Sequence, residues 1–165
     1  DKRREGWDKY FFNEREDVKI IGEDFANWNS DEAQALMEAW AQKGTHIDAI
    51  IAMNDDMAVG AIEAIKGNKD YVKADGTTTF KAYGVDGTAR GCLYIKNGLL
   101  TATALQSAGD IGKMNMEYAH KVLTGEMDVT EVADFVPAPE INIDNVDEYL
   151  QIYVDNGQLT EDDIK

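Results

Sequence analysis

Ile47-Asp48-Ala49-Ile50-Ile51-Ala52-Met53-Asn54-Asp55-Asp56 is an apolar run that ends abruptly in one amide and two acids. A short apolar run rich in β-branched side chains reads as a strand buried on both faces, the form strands take in parallel sheets. A second run, residues 80–85, ends in the same manner in Asp86-Gly87-Thr88. In an open parallel sheet the carboxyl ends of the strands share one rim, and that rim is where such folds bind small molecules. Polar groups are thus expected at a ligand-binding edge before any ligand is named.

Outward from these two strands the chain alternates between helical and extended patterns. A helix is predicted over residues 3–12 and a buried strand over 18–22. The next helix is capped by Ser30, carries Asp31 and Glu32 in its first turn, faces inward with Ala33, Leu36, Met37 and Trp40, and stops at Gly44. After strand 47–53, Met57, Ala61, Ile62 and Ile65 recur at helical spacing, with Gly60 allowing close approach to a neighbour. Residues 67–79 read as a polar surface excursion. Strand 80–85, helix 89–96, the turn Asn97-Gly98 and strand 100–105 repeat the unit. Helix 111–123 carries Met114, Tyr118 and Val122 on one stripe, residues 132–143 are extended and hold both prolines, and Asn145 caps a last helix over 146–154. The alternation predicts an α/β fold: a mostly parallel sheet with helices on both faces.

Composition narrows the partners. Sixteen Lys plus Arg against 32 Asp plus Glu give a formal net charge of −16, which argues against nucleic acid or an anionic membrane as partner and suits a neutral ligand. Cys92 is the single cysteine, so neither a disulfide framework nor a thiolate metal site is available. His46 and His120 lack partners at ligand spacing, and the acids Glu161, Asp162 and Asp163 lack the pattern of a calcium loop. No metal and no cofactor is expected. Gly84, Gly87 and Gly91 are not spaced as a dinucleotide fingerprint, and neither a nucleophile elbow nor a phosphate-binding Gly-Lys-Ser/Thr loop occurs. The chain therefore offers polar groups without a catalyst, and no enzymatic activity is expected.

What remains suits a polyhydroxylated, uncharged molecule. Arg3 brings five donors, Asp86 accepts hydroxyl hydrogens, Asn54 and Gln106 each donate and accept, and Trp28 adds a flat apolar face. A sugar ring is polar around its edge and apolar across its face, so this set matches it. Each residue alone also fits a plainer role: Trp28 as half-buried packing, Asn54 and Asp86 as caps or turn formers, Arg3 as a surface charge, Gln106 as the end of a strand.

At these residues the chain resembles the C-terminal lobe of the type I periplasmic sugar-binding proteins, the ribose-binding group, whose fold is shared by the effector domains of lac-repressor-type regulators. The resemblance rests, in order, on Arg3 before Gly6-Trp7, on residues 48–61 with their Asn54-Asp55-Asp56-Met57-Ala58 core, and on Gly84-Val85-Asp86-Gly87-Thr88. It continues through Ile95-Lys96-Asn97-Gly98, residues 100–106, Leu123-Thr124-Gly125-Glu126 and Ile141-Asn142-Ile143-Asp144-Asn145-Val146. It implies that Arg3, Trp28, Asn54, Asp86 and Gln106 contact the ligand; the spacing before Gly6 also allows the first contact to fall on Asp1.

The resemblance further implies a C-terminal portion of a two-lobed protein whose N-terminal lobe, with the first strand of the present lobe, lies outside residues 1–165. Within that frame 1–106 form the core of the lobe, 107–139 cross to the other lobe, and 140–165 return as a strand and a terminal helix. The implied function is that of an extracytoplasmic binding protein, periplasmic or lipid-anchored at the cell surface. It would bind a monosaccharide or similar polyol and deliver it to the membrane permease of an ABC transporter. The alternative is the sugar-effector domain of a lac-repressor-type transcription regulator.

Overall fold

The computed structural model describes residues 2–131 and 135–165. Its sheet comprises β1 (Ala49–Ile51), β2 (Lys81–Asp86), β3 (Ala102–Leu105) and β4 (Glu140–Asn142), in that spatial order. β1, β2 and β3 run parallel and β4 is antiparallel to β3. The fold is therefore α/β with a mostly parallel sheet. Six α-helices are described: α1 (Lys2–Tyr10), α2 (Ser30–Ala41), α3 (Asp55–Ile65), α4 (Ala89–Lys96), α5 (Ala108–Thr124) and α6 (Val146–Asp155).

Register decides which strand residues meet the core. Ile50 pairs with Ala82, and Gly84 with Thr103, which pairs in turn with Ile141. Ile50, Ala82, Thr103 and Ile141 are all buried, whereas Lys81 and Tyr83, on the alternate positions of β2, are exposed. Met37 of α2, Ile62 and Ile65 of α3, Ile95 of α4 and Leu150 of α6 complete one continuous core with Ile50, Ala82 and Ile141. Burying each such aliphatic side chain contributes about 1.5–3 kcal/mol. α2 and α3 pack closest at Gly60, where a Cβ would stand 2.0 Å from the backbone oxygen of Ser30.

Several expected elements are adjusted. Residues 18–22 form no strand: they lie outside the sheet, with Ile20 and Ile21 46% and 39% exposed. Gly22 lies flat against the Trp40 indole, where a Cβ would meet a ring carbon at 2.7 Å. β-branched composition favours extended backbone, but a strand also needs a neighbour, and the ladder ends at β1. Ser30 is the first residue of α2 and not its cap. Asn29 caps it, its Oδ1 accepting from the N–H of Asp31 and Glu32 at 2.8 and 3.0 Å.

Asn145 precedes α6 as expected but does not cap it. Its side chain accepts from Asn142 N–H at 2.9 Å and donates to the Glu140 carbonyl at 3.0 Å, closing the turn after β4. The extended stretch 132–143 narrows to β4, and its residues 132–134 lie outside the described residues. α5 begins three residues earlier than the periodicity predicts, at a Ser107 cap, and ends at Gly125 with φ 75°. None of its residues is buried; Met116 and Leu123 are 72% and 87% exposed. Among the described residues no helix is long and apolar enough to cross a membrane.

Candidate functional site

The carboxyl ends of β1, β2 and β3 lead into Asn54, Asp86 and Gln106, and the first turn of α1 brings Arg3 over them. Arg3 Nη2 donates to Gln106 Oε1 at 2.7 Å and to Asp86 Oδ1 at 3.3 Å, and its Nη1 donates to the backbone carbonyl of Met53. Its guanidinium carbon lies 5.6 Å from the centre of the Trp28 ring, within cation–π range. One side chain thus touches the loop after β1, the ends of β2 and β3, and the aromatic residue before α2. The backbone adds a link of its own, Gln106 N–H donating to the Asp86 carbonyl at 3.1 Å.

Asp86 adopts φ 115°, a conformation that side-chain-bearing residues rarely hold. Its carboxyl pKa is raised: partial burial is the largest cause, the Arg3 charge and hydrogen bond pull it down, and Asp56 pushes it up. Arg3 and Asp86 retain 29% and 31% side-chain exposure, so this ion pair is reachable from solvent.

Asn54 is 9% exposed and N-caps α3, its Oδ1 accepting from Met57 N–H at 2.9 Å. Its Nδ2 is a hydrogen-bond donor. Trp28 is 55% exposed and, with Asn27, occupies left-handed backbone at φ 62° and 47°. The bend is fixed by Asn29 N–H bonding the Ala26 carbonyl at 2.7 Å and by Asn27 Nδ2 bonding Glu32 Oε2 at 2.7 Å. Strain of this kind is found where a loop must aim a side chain.

The structure therefore joins Arg3, Trp28, Asp86 and Gln106 through direct contacts and places Asn54 beside Met53, whose carbonyl Arg3 engages. Asp1 lies outside the described residues. The sequence reading overlooked the Met53 carbonyl, for which side-chain identity gives no signal. It also overlooked Arg90, which follows Asp86 into α4 and approaches Ser30 Oγ at 3.5 Å and Asp56 Oδ1 at 4.0 Å. Its place in the first turn of a helix that starts at the strand-end loop was the available clue. Among the described residues no group of His, Cys, Asp and Glu is arranged to hold a metal ion.

Donors, acceptors and an indole on one rim can grip hydroxyls at a ring's edge while covering its face. The chain is also similar to known proteins. The chain is 33% identical over 143 residues to the xylitol-binding protein of Mycolicibacterium smegmatis, covering 86% of this chain and 38% of that protein. It is 38% identical over 80 residues to the ribose import binding protein of Salmonella typhimurium, covering 48% of this chain and 25% of that protein. A crystal structure of an ABC transporter solute binding protein from Bacillus halodurans with bound myo-inositol superposes with a TM-score of 0.73 at 29% identity, covering 91% of this chain and 49% of that one. The chain thus spans about half the length of these relatives or less. A family model described as a periplasmic binding protein domain matches residues 1–127, and the chain belongs to that family.

Proposed function

We propose that this chain is the C-terminal lobe of an extracytoplasmic solute-binding protein that takes a monosaccharide or similar polyol and presents it to the permease of an ABC transporter. The observation that carries this reading is the convergence of Arg3, Asp86, Gln106 and Trp28 on the strand-end rim, with Arg3 2.7 Å from Gln106 and 3.3 Å from Asp86. The relatives that bind xylitol and myo-inositol support it. In this reading residues 1–106 are the lobe core, 107–139 cross to an N-terminal lobe, and 140–165 return. The exposed α5 fits such a crossing, since none of its residues is buried.

Ligand would act by bridging two lobes, and the permease would sense the closed state that only bound ligand stabilises. Binding without turnover is the reading we adopt.

The test is titration calorimetry on the full-length protein with xylitol, ribose and myo-inositol, with Asp86→Ala as the variant. A hydrogen bond to a charged group contributes about 1.5–3 kcal/mol, so affinity for whichever polyol binds should fall about tenfold to a hundredfold. Unchanged affinity in Asp86→Ala would overturn the reading.

A further inference from the structure

Asp55 follows Asn54 in sequence but does not point to the rim. Its side chain is completely buried, and both its oxygens are engaged: Oδ1 accepts from Thr103 Oγ1 at 2.6 Å, and Oδ2 from Thr88 N–H at 2.7 Å and Thr88 Oγ1 at 3.2 Å. A buried carboxylate is costly unless its lone pairs are satisfied, so a fold that keeps one must gain something specific from it. The surrounding sequence makes room for it. A Cβ on Gly84 would lie 2.2 Å from Asp55 Oδ1, and one on Gly91 2.4 Å from Oδ2, although neither glycine has positive φ.

The partners of Asp55 lie immediately around Asp86. Thr103 Oγ1, which donates to Asp55, also accepts from Gly87 N–H at 3.3 Å. Thr88 N–H is held by Asp55 directly. The Gly87 carbonyl accepts from Tyr153 of α6, and the Asp86 carbonyl from Gln106 N–H. Each peptide unit following the strained Asp86 is thereby fixed, and strained conformations persist only where surroundings over-determine them. Asp55 is not capping its own helix, since Asn54 does that, and its contacts lie 33 and 48 positions away.

We infer that Asp55 is a positioning residue for the ligand site: through Thr88 and Thr103 it holds Asp86 in the φ that aims its carboxylate at Arg3 and the rim. This rests on the rim being the polyol site. It predicts that Asp55 governs affinity only by way of Asp86.

Asp55→Asn tests it with little change of shape, because the amide keeps one acceptor for Thr103 but turns a donor toward the Thr88 N–H. In ¹⁵N-labelled full-length protein, the HN–Hα coupling of Asp86 should change and the amides of Gly87 and Thr88 should lose exchange protection. Affinity for xylitol, ribose or myo-inositol, whichever binds, should fall by about tenfold or more. On an Asp86→Ala background the same substitution should change affinity by less than about twofold, which a general loss of packing would not produce.

An unchanged Asp86 coupling in Asp55→Asn would overturn the inference, as would an equal affinity loss on both backgrounds. If Asp55→Asn does not fold, Thr103→Val should reproduce its effects and Thr103→Ser, which restores the hydroxyl, should reverse them; failure of that reversal counts against the inference. If the full-length protein binds none of the three polyols, the ligand reading falls, and the backbone measurements alone decide whether Asp55 sets the Asp86 conformation.

Discussion

Arg3 and Gln106, 103 positions apart in sequence, meet at 2.7 Å through Nη2 and Oε1, and the same guanidinium reaches Asp86 and the Met53 carbonyl. A planar fork can serve three acceptors in different directions, whereas a lysine ammonium is a point charge on a flexible stem. Arg3→Lys should therefore keep the charge yet lose the convergence. Polyol affinity of the full-length protein should fall about tenfold to a hundredfold, close to the loss in Arg3→Ala. Calorimetry showing near-normal affinity for the lysine variant would mean that charge alone matters there.

Trp28 yields a prediction about strain. Replacing it by Ala or by Gly removes the same ring, and affinity should drop equally. Their stabilities should differ, because φ 62° is a conformation alanine resists and glycine accepts. Trp28→Gly should be more stable than Trp28→Ala by about 1 kcal/mol in denaturant unfolding, the reverse of the usual order where φ is negative.

What the sequence revealed and withheld follows from where each signal resides. Runs 47–53 and 80–85 were legible because their inward-facing positions, Ile50 and Ala82 among them, are apolar and buried, and the polar residues closing them marked the rim; Lys81 and Tyr83 face outward. Residues 18–22 carry the same β-branched signal without forming a strand, since composition reports local preference and pairing depends on a distant neighbour. The caps show a subtler limit: Asn29, Ser30 and Asn145 are all cap-forming types, and only geometry reveals that Asn29 caps while Asn145 closes a turn. The Arg3 contact to Met53 was hidden because every residue has the same carbonyl. The positive φ of Trp28 and Asp86 was hidden because neither residue type advertises it. The stripe on α5 could be read, but not that the helix carrying it would hold no buried residue.

The pH dependence of stability and of binding should have opposite signs. The Asp86 pKa is raised in the folded chain, chiefly by burial, above the ordinary aspartate value of about 3.9. The folded state therefore holds that proton more tightly than the unfolded state. The stability it contributes is fully present below the unfolded pKa and lost as pH rises through the folded one. Compared with Asp86→Asn, the wild-type protein should gain stability as pH falls through that window. Polyol affinity should weaken over the same window, because a protonated Asp86 accepts fewer hydroxyl hydrogens and releases Arg3. Parallel unfolding and calorimetric titrations from neutral to acid pH check both signs.

Cys92 should be inert while the chain is folded. It has no exposed surface, and burial, reinforced by the nearby Asp55 charge, pushes its thiol up to about 12. Thiolate is the reactive form, so both access and ionisation protect it. Iodoacetamide at mildly alkaline pH should leave the native protein unmodified by mass spectrometry and alkylate it only at the rate of unfolding. Rapid labelling under native conditions would contradict the packing of α4 against the sheet.

Gly60 and Gly112 make a paired test of the helix packing that carries the site. Glycine inside a helix is less favourable than alanine by about 1 kcal/mol, so Gly→Ala should stabilise wherever the methyl fits. At Gly112 in α5 no atom of the described residues beyond the helix's own backbone lies within 4 Å of the added Cβ, and Gly112→Ala should raise helix content with no loss of stability. At Gly60 the same atom would meet the Ser30 carbonyl oxygen at 2.0 Å and its carbon at 2.8 Å. That obstacle is backbone, which cannot rotate aside, so α2 and α3 must separate. The strain should outweigh the propensity gain and leave Gly60→Ala less stable by about 1–3 kcal/mol in urea unfolding. The displacement should also reach the rim, because α3 starts beside Asn54 and α2 follows the Trp28 bend. Polyol affinity should therefore fall in Gly60→Ala, although the substituted residue touches no ligand group.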